Sequence, residues 1–388
     1  MVENTSNIQN TDITKAGNEK NESLSRMTFK LINAAELGRK DIPPIQFLVD
    51  KTLAPGCCLL AGPHKGGKSY LALQLCLCIA GDEDFLGLPT KHGDCLYCAL
   101  EDSEKRLQSR MRQLLGGKEF PARLNFTLES PRIGKGLEDK LENYIKQHPD
   151  AKLIVIDTLA LVRGEKRRGE SDYDYDYRDI HALKDFADRH EICLLLIHHM
   201  RKTKADDIFD EIAGGVGIQA AADTILTLQK KMRTDDDAVL HITGRDVEAD
   251  RLAIQSDRQS RRWSLLGNSN YIKKQAYDNS PVVAALRKIL DENNNHWSGT
   301  MTDLLAYGSH SLGFEMAKSA STLSREIKKL ESELAVYDNI SHSSRNPNGG
   351  IKGRIYEFCR NENITDPDAD VDEQYFSSSD NDLYDEPD

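Results

Sequence analysis

The chain has 388 residues, 39% of them hydrophobic, which suffices for two or three domains and a sizeable core. No apolar run approaches the ~18 residues of a membrane span, and the first residues lack the charged-then-apolar pattern of a signal peptide. The sequence therefore predicts a cytoplasmic protein with no membrane partner. The net charge is −12, but from Thr365 onward there are ten acidic residues and no Lys or Arg, and the remainder carries 53 acidic and 51 basic residues. Nucleic-acid binding is not excluded, because basic residues of a near-neutral folded part can cluster locally.

Residues 1–27 are rich in Asn, Ser, Thr, Glu and Lys, with few large apolar residues, and are predicted to be disordered. A domain is predicted over 28–266. Its strand and helix patterns alternate, which predicts a parallel sheet with helices on both faces and antiparallel strands added over 238–266. The predicted parallel strands are Cys57–Ala61, Cys95–Leu100, Asn125–Leu128, Leu153–Ile156, Ile192–Ile197 and Thr224–Leu228, and the main predicted helices are 69–80, 103–115, 136–147 and 176–190.

The most informative motif is Gly-Pro-His-Lys-Gly-Gly-Lys-Ser at 62–69, a complete G-x-x-x-x-G-K-S phosphate-binding loop. It follows an apolar strand pattern and precedes a helical one, which is the context that such a loop requires. Backbone N–H groups and the helix N-terminus bind phosphate, the lysine reaches the β- and γ-phosphates, and the serine hydroxyl binds Mg²⁺. The predicted ligands are ATP and Mg²⁺, and the predicted nucleotide-binding residues are Gly62, Pro63, His64, Lys65, Gly66, Gly67, Lys68, Ser69 and Tyr70.

Two predicted strands end in acidic residues. Asp157 ends an apolar run and is predicted to hold Mg²⁺ with Ser69, although an Asp-Thr strand end is also common. Glu101 ends another strand and is predicted to polarise the water that attacks the γ-phosphate. The alternative is that Glu101 or Asp102 caps the helix that begins near Ser103.

A third strand ends in His198 and His199. Adjacent residues on a strand point to opposite faces, so the two imidazoles cannot clasp one metal ion. We expect one histidine to reach the γ-phosphate and the other to pack. Arg245 ends a later strand and is either a salt-bridged strand end or an arginine finger, an arginine that contacts a neighbouring subunit's nucleotide.

Basic, glycine-containing loops follow the Asp157 and His199 strands. Such loops can track a nucleic-acid backbone, or they can be solvated charge runs. Their candidate DNA-binding residues are Arg163, Lys166, Arg167, Arg168, Arg201, Lys202 and Lys204.

Beyond a polar linker predicted at 267–280, residues 281–362 read as three helices and a hairpin, which suggests a winged-helix-like domain. Arg325 and Lys329 on its third helix are candidate contacts to duplex DNA, and a protein-docking role is the alternative. Residues 363–388 are predicted to be an acidic, disordered tail.

Five segments together resemble the RepA-type hexameric helicases, which belong to the RecA/DnaB-like ATPases of plasmids, phages and integrated elements. They are the phosphate loop, the Tyr-Cys-Ala-Leu-Glu-Asp strand with Arg110 downstream, Val-Ile-Asp157-Thr, Leu-Leu-Ile-His-His-Met-Arg-Lys202 and Gly-Arg245-Asp-Val-Glu. The resemblance covers about residues 28–266.

The resemblance implies a RecA-like fold, ATP sites between the subunits of a homo-oligomeric, hexameric ring, and single-stranded DNA in a central channel. It also implies roles for the residues that match: Lys68 and Ser69 bind phosphate and Mg²⁺, Asp157 supports Mg²⁺, Glu101 activates water, His199 senses the γ-phosphate, and Arg245 acts in trans.

Three functions are compatible with these features. The first is a ring-forming, ATP-driven DNA helicase for replication of a mobile element. The second is an ATP-switched protein that binds an origin or other DNA without unwinding it, and the third is a RecA-like recombinase. The acidic Glu101 favours ATP turnover over a switch alone.

Overall fold

The computed structural model describes residues 31–201, 203–214, 216–232, 234–313, 316–346 and 353–361. The segments predicted to be disordered, 1–27 and 363–388, and the candidate Lys202 lie outside the described residues. The chain divides into a short unit that ends at Ile45 and a larger unit that begins at Gln46. In the short unit, helix α1 (Ala34–Leu37) is capped by the Asn33 side chain.

A nine-stranded sheet forms the centre of the larger unit, in the spatial order β3-β2-β4-β5-β1-β6-β7-β8-β9. The six strands from β3 to β6 are parallel, and β7, β8 and β9 extend the sheet in antiparallel fashion. The strands are β1 (Gly56–Gly62), β2 (Asp94–Ala99), β3 (Leu124–Thr127), β4 (Ala151–Asp157), β5 (Cys193–His199), β6 (Thr224–Gln229), β7 (Asp237–Gly244), β8 (Asp250–Ser256) and β9 (Trp263–Gly267).

Helices cover both faces of this sheet. Alternate residues of β1 enter two separate cores, with Cys58 and Leu60 on one face and Cys57, Leu59 and Ala61 on the other. Burial on both faces explains why the central strands are continuously apolar. The predicted RecA-like α/β fold is confirmed. Its helices are α2 (Lys68–Gly81), α3 (Glu104–Leu115), α4 (Leu137–Gln147), α5 (Leu159–Val162), α6 (Asp172–His190) and α7 (Val216–Ala221).

The antiparallel extension is joined to α2 by a buried pair of hydrogen bonds. The Gln74 side chain donates to the Trp263 carbonyl (2.9 Å) and accepts from the Trp263 N–H (2.7 Å). Since α2 begins inside the phosphate loop, β9 is fixed relative to that loop.

The carboxyl-terminal part contains a three-stranded antiparallel sheet and five α-helices among its described residues. Its elements are α8 (Ser269–Asp278), α9 (Pro281–Glu292), β10 (His296–Thr300), α10 (Met301–Tyr307), α11 (Ala320–Lys329), α12 (Glu331–Asp338), β11 (Ile340–Arg345) and β12 (Ile355–Arg360). The strand order is β10-β12-β11, so the hairpin gains a third strand, as in a winged helix.

The polar stretch 267–280, predicted as a linker, is largely helical, because Asn268 caps α8 and Tyr277 is buried in the core of this part. The third helix predicted for this part is divided in the structure: α11 ends at Lys329, and α12 follows from Glu331. Over the described residues, the helices are too short or too polar to span a bilayer.

Candidate functional site

The phosphate loop connects β1 to α2 at the carboxyl edge of the parallel strands. Gly67 has φ 101°, and a Cβ there would lie 2.8 Å from the Trp263 ring. A Cβ on Gly66 would lie 2.9 Å from Pro63. The loop therefore requires glycine at both positions, because a side chain at either one would collide with Pro63 or Trp263.

Lys68 is buried inside this loop. Its Nζ donates to the carbonyls of Gly62 (2.8 Å) and Pro63 (2.9 Å). Burial lowers the pKa of Lys68 to about 8, against the charges of Asp157 and Glu101, which raise it. A bound phosphate would supply the negative charge that this partly dehydrated ammonium lacks.

Asp157 ends β4 next to the loop and is 8% exposed. The Tyr97 hydroxyl donates to Asp157 Oδ2 (2.7 Å) and lies 3.4 Å from the Ser69 carbonyl oxygen. Burial, followed by the neighbouring Asp157 carboxylate, raises the pKa of Tyr97 well above its usual value. A buried carboxylate and the Ser69 hydroxyl are oxygen donors of the kind that Mg²⁺ prefers, so the residues present fit this ion.

Glu101 lies just beyond β2, and the Leu100 N–H joins this turn to the Asp157 carbonyl (2.9 Å). The helix cap that follows is Ser103, whose side chain accepts from the Arg106 N–H. Asp102 is held by Arg106 (2.7 Å) and Arg110. Neither acid is the helix cap, and the two have different environments. Asp102 forms ion pairs, whereas the exposed Glu101 lies close enough to Lys68 to affect the pKa of that lysine.

The two histidines of β5 have different environments. His198 is buried, and its Nε2 lies 2.7 Å from the Ala213 carbonyl oxygen. His199 stacks on His64 of the phosphate loop, with ring centroids 3.9 Å apart. Its buried Nδ1 has no hydrogen-bond partner among the described residues. His199 is therefore the histidine that faces the loop.

Arg245 lies at the opposite edge of the sheet. Its backbone N–H donates to the Asp223 carbonyl, and the Asp223 N–H donates to the Cys57 carbonyl at the start of β1. The phosphate loop begins five residues further along β1, roughly 16 Å away at the usual rise of a strand. The guanidinium is 56% exposed and lies 3.3 Å from Asp223 and from the Ala220 carbonyl oxygen. Arg245 therefore cannot reach its own chain's phosphate loop.

Asp223, which the sequence did not single out, anchors this arginine. It is buried and also accepts from the Cys57 N–H (3.0 Å) and from Lys184 (2.6 Å). The position of Asp223 just before a strand does not reveal this role in the sequence, because its partners come from three different elements.

Arg163, a candidate for DNA binding, has partners within its own chain. Its side chain is 14% exposed, pairs with Asp176 (2.9 Å) and Asp179 (2.7 Å), and stacks on the Tyr175 ring. This arginine holds the loop against α6.

The described candidates other than Arg163 in the two loops lie at the surface. Lys166 pairs with Asp172 (2.5 Å), and Lys204 lies 3.6 Å from Glu211. The exposed candidates include Arg167, Arg168 and Arg201 in the loops, and Arg325 and Lys329 on α11.

The glycine loop, its buried lysine and the buried Asp157 strand end define a P-loop ATPase domain with a RecA-like fold. In agreement, a protein family described as an AAA domain matches residues 25–205.

Two solved structures are also similar. The first, an ATPase domain, aligns with a TM-score of 0.46 and 13% identity over 55% of this chain and 85% of that one. The second, "The Structure Of A DnaB-Like Replicative Helicase And Its Interactions With Primase", aligns with a TM-score of 0.45 and 12% identity over 54% of this chain and 57% of that one.

The histidine pair predicts a pH dependence of stability. Burial, aided by Lys68, His64 and His198, lowers the pKa of His199 from 6.5 to about 4. The unfolded chain binds this proton more readily, so the contribution to stability is complete above pH 6.5 and is lost as the pH falls towards 4. We expect His199→Gln to lose less unfolding free energy than the wild type between pH 7 and pH 5, as measured by urea denaturation. The exposed His181→Gln is the control, and equal losses in wild type and His199→Gln would contradict the assignment.

Proposed function

We propose that the chain is an ATP hydrolase that acts on DNA as a ring of identical subunits, with the activity of a helicase in the replication of a plasmid, phage or integrated element. The observation that carries this proposal is the placement of its charged and hydrogen-bonding side chains. Lys68, Asp157, Glu101 and His199 surround the phosphate loop at one edge of the sheet, and Arg245 is exposed at the other edge. A site that needs Arg245 is completed only by a second copy packed head to tail.

Each residue at the loop edge has a role that fits its position. Lys68 neutralises charge on the transferred phosphoryl group, and Glu101 orients and deprotonates the attacking water. His199, a neutral imidazole at pH 7, donates a hydrogen bond to the γ-phosphate and links its presence to β5. Ser69 and Asp157 would hold Mg²⁺, which screens the phosphate charge when bound.

The loops that follow β4 and β5 leave from this same edge. Arg167, Arg168 and Arg201 are exposed there, which supports contact with a DNA backbone in the centre of a ring. ATP is hydrolysed at the sheet edge from which these loops leave. A change at the ATP site is therefore passed directly to the loops and to the DNA bound to them. An ATP-switched DNA-binding protein and a recombinase are the alternatives: DNA binding without ATP hydrolysis would favour the first, and open filaments on DNA would favour the second.

The first test separates ATP binding from hydrolysis. We expect Glu101→Gln to bind ATP but to hydrolyse it at least ~100-fold more slowly, since a positioned general base contributes about that much. Lys68→Ala should lose hydrolysis, because it removes the cation that stabilises the transition state. The control is Glu104→Gln, an exposed acid three residues further on. Normal hydrolysis by Glu101→Gln would show that the water is activated elsewhere.

The second test addresses the shared site. Arg245→Ala and Lys68→Ala should each be inactive alone, and mixing them should restore part of the ATPase activity. In a randomly mixed ring, about one interface in four pairs an intact loop with an intact Arg245. Arg258→Ala, an exposed arginine of the β8–β9 turn, should retain activity on its own. Failure to recover activity while subunits exchange would contradict a shared site.

A further inference from the structure

The carboxyl-terminal part presents one helix beside a β-hairpin. Helix α11 follows α10 and precedes the β11–β12 hairpin, in the sequence of elements of a winged helix. Leu323 and Ile327 are buried, and Ser321, Arg325 and Lys328 are exposed. The helix is therefore anchored by one apolar stripe and presents a polar, basic face to solvent.

The helix and the hairpin are fixed to each other. The Ser324 hydroxyl on α11 lies 2.9 Å from the Tyr356 hydroxyl on β12. On the hairpin, Arg345 and Arg354 are exposed, and Arg345 lies 3.4 Å from Glu357. This contact fixes the helix relative to the hairpin, and both elements carry exposed cations.

Helix stability does not account for this charge. Lys328 and Lys329 in the last turn are favoured by the helix dipole, but Lys318 precedes the N-cap Ser319, where a positive charge is unfavourable. Residues 318–329 contain four cations and one acid. The helix dipole accounts for Lys328 and Lys329 but not for Lys318 or Arg325, and a local excess of exposed cations points to an anionic partner.

We propose that this surface binds duplex DNA, with α11 in the major groove and the β11–β12 hairpin on the flanking backbone. A helix that presents Ser, Arg and Lys offers hydrogen-bond donors to base edges and cations to phosphates. The site is separate from the loops at the ATPase edge and does not depend on hydrolysis. It gives the protein a means of binding duplex DNA beside the strand on which the ATPase acts.

The test uses the full chain without nucleotide and a fluorescent DNA duplex closed by loops at both ends, which offers no free single-stranded end. Anisotropy at several salt concentrations compares the wild type with Arg325→Gln/Lys329→Gln. The double variant should bind at least ~10-fold more weakly, and its slope of log K against log salt should be shallower by about 1.8, because each lost phosphate contact contributes about 0.9.

The control is Lys105→Gln/Lys140→Gln, which removes the same charge from exposed positions on α3 and α4 and should leave both quantities unchanged. The basal ATPase activity of the Arg325/Lys329 variant should equal that of the wild type. The ATPase assay therefore reports on the proposed function, and the anisotropy measurement reports on this DNA site. The proposal is overturned if the wild type ignores the closed duplex at low salt, if the variant keeps wild-type affinity and slope, or if the control loses as much.

Discussion

The buried ammonium of Lys68 is the charge around which the carboxyl edge of the sheet is arranged. Its two hydrogen bonds go to neutral carbonyls of the loop, and the acidic groups that affect it, Asp157 and Glu101, lie on neighbouring strand ends. Burial in the loop disfavours this charge, and an anion in the loop would restore it. The same edge keeps the His199 imidazole neutral, so one cation, two carboxylates and one neutral donor surround the place of a phosphate.

This arrangement depends on the parallel sheet. Because β2, β4, β5 and β1 are parallel neighbours, their carboxyl ends bring Glu101, Asp157, His199 and the loop together. Strand β7 runs antiparallel to β6 and returns the chain to the amino edge of the parallel strands. Arg245, which follows β7, therefore lies at the edge opposite to the phosphate loop. In the proposed assembly, head-to-tail packing brings one edge of a subunit against the other edge of the next, and it forms a ring where the rotation between subunits closes.

The sequence was sufficient to predict the phosphate loop and the strand ends, because each depends on a local pattern and on the rule that parallel strands share an edge. It was not sufficient for contacts that depend on register between distant segments. Tyr97 and Asp157 are 60 positions apart, and Gln74 and Trp263 are 189 apart. The same holds for Arg163: its charge is evident in the sequence, but its carboxylate partners become visible only once α6 is folded against the loop.

The central claim is that ATP is bound between identical subunits around DNA. Electron microscopy of Glu101→Gln, incubated with ATP and single-stranded DNA, tests it most directly, because this variant should hold ATP without consuming it. The account predicts closed rings, most simply of six subunits, which do not form when the Lys68→Ala variant is used instead. Monomers at saturating ATP, two-fold symmetric dimers or open filaments would contradict the account.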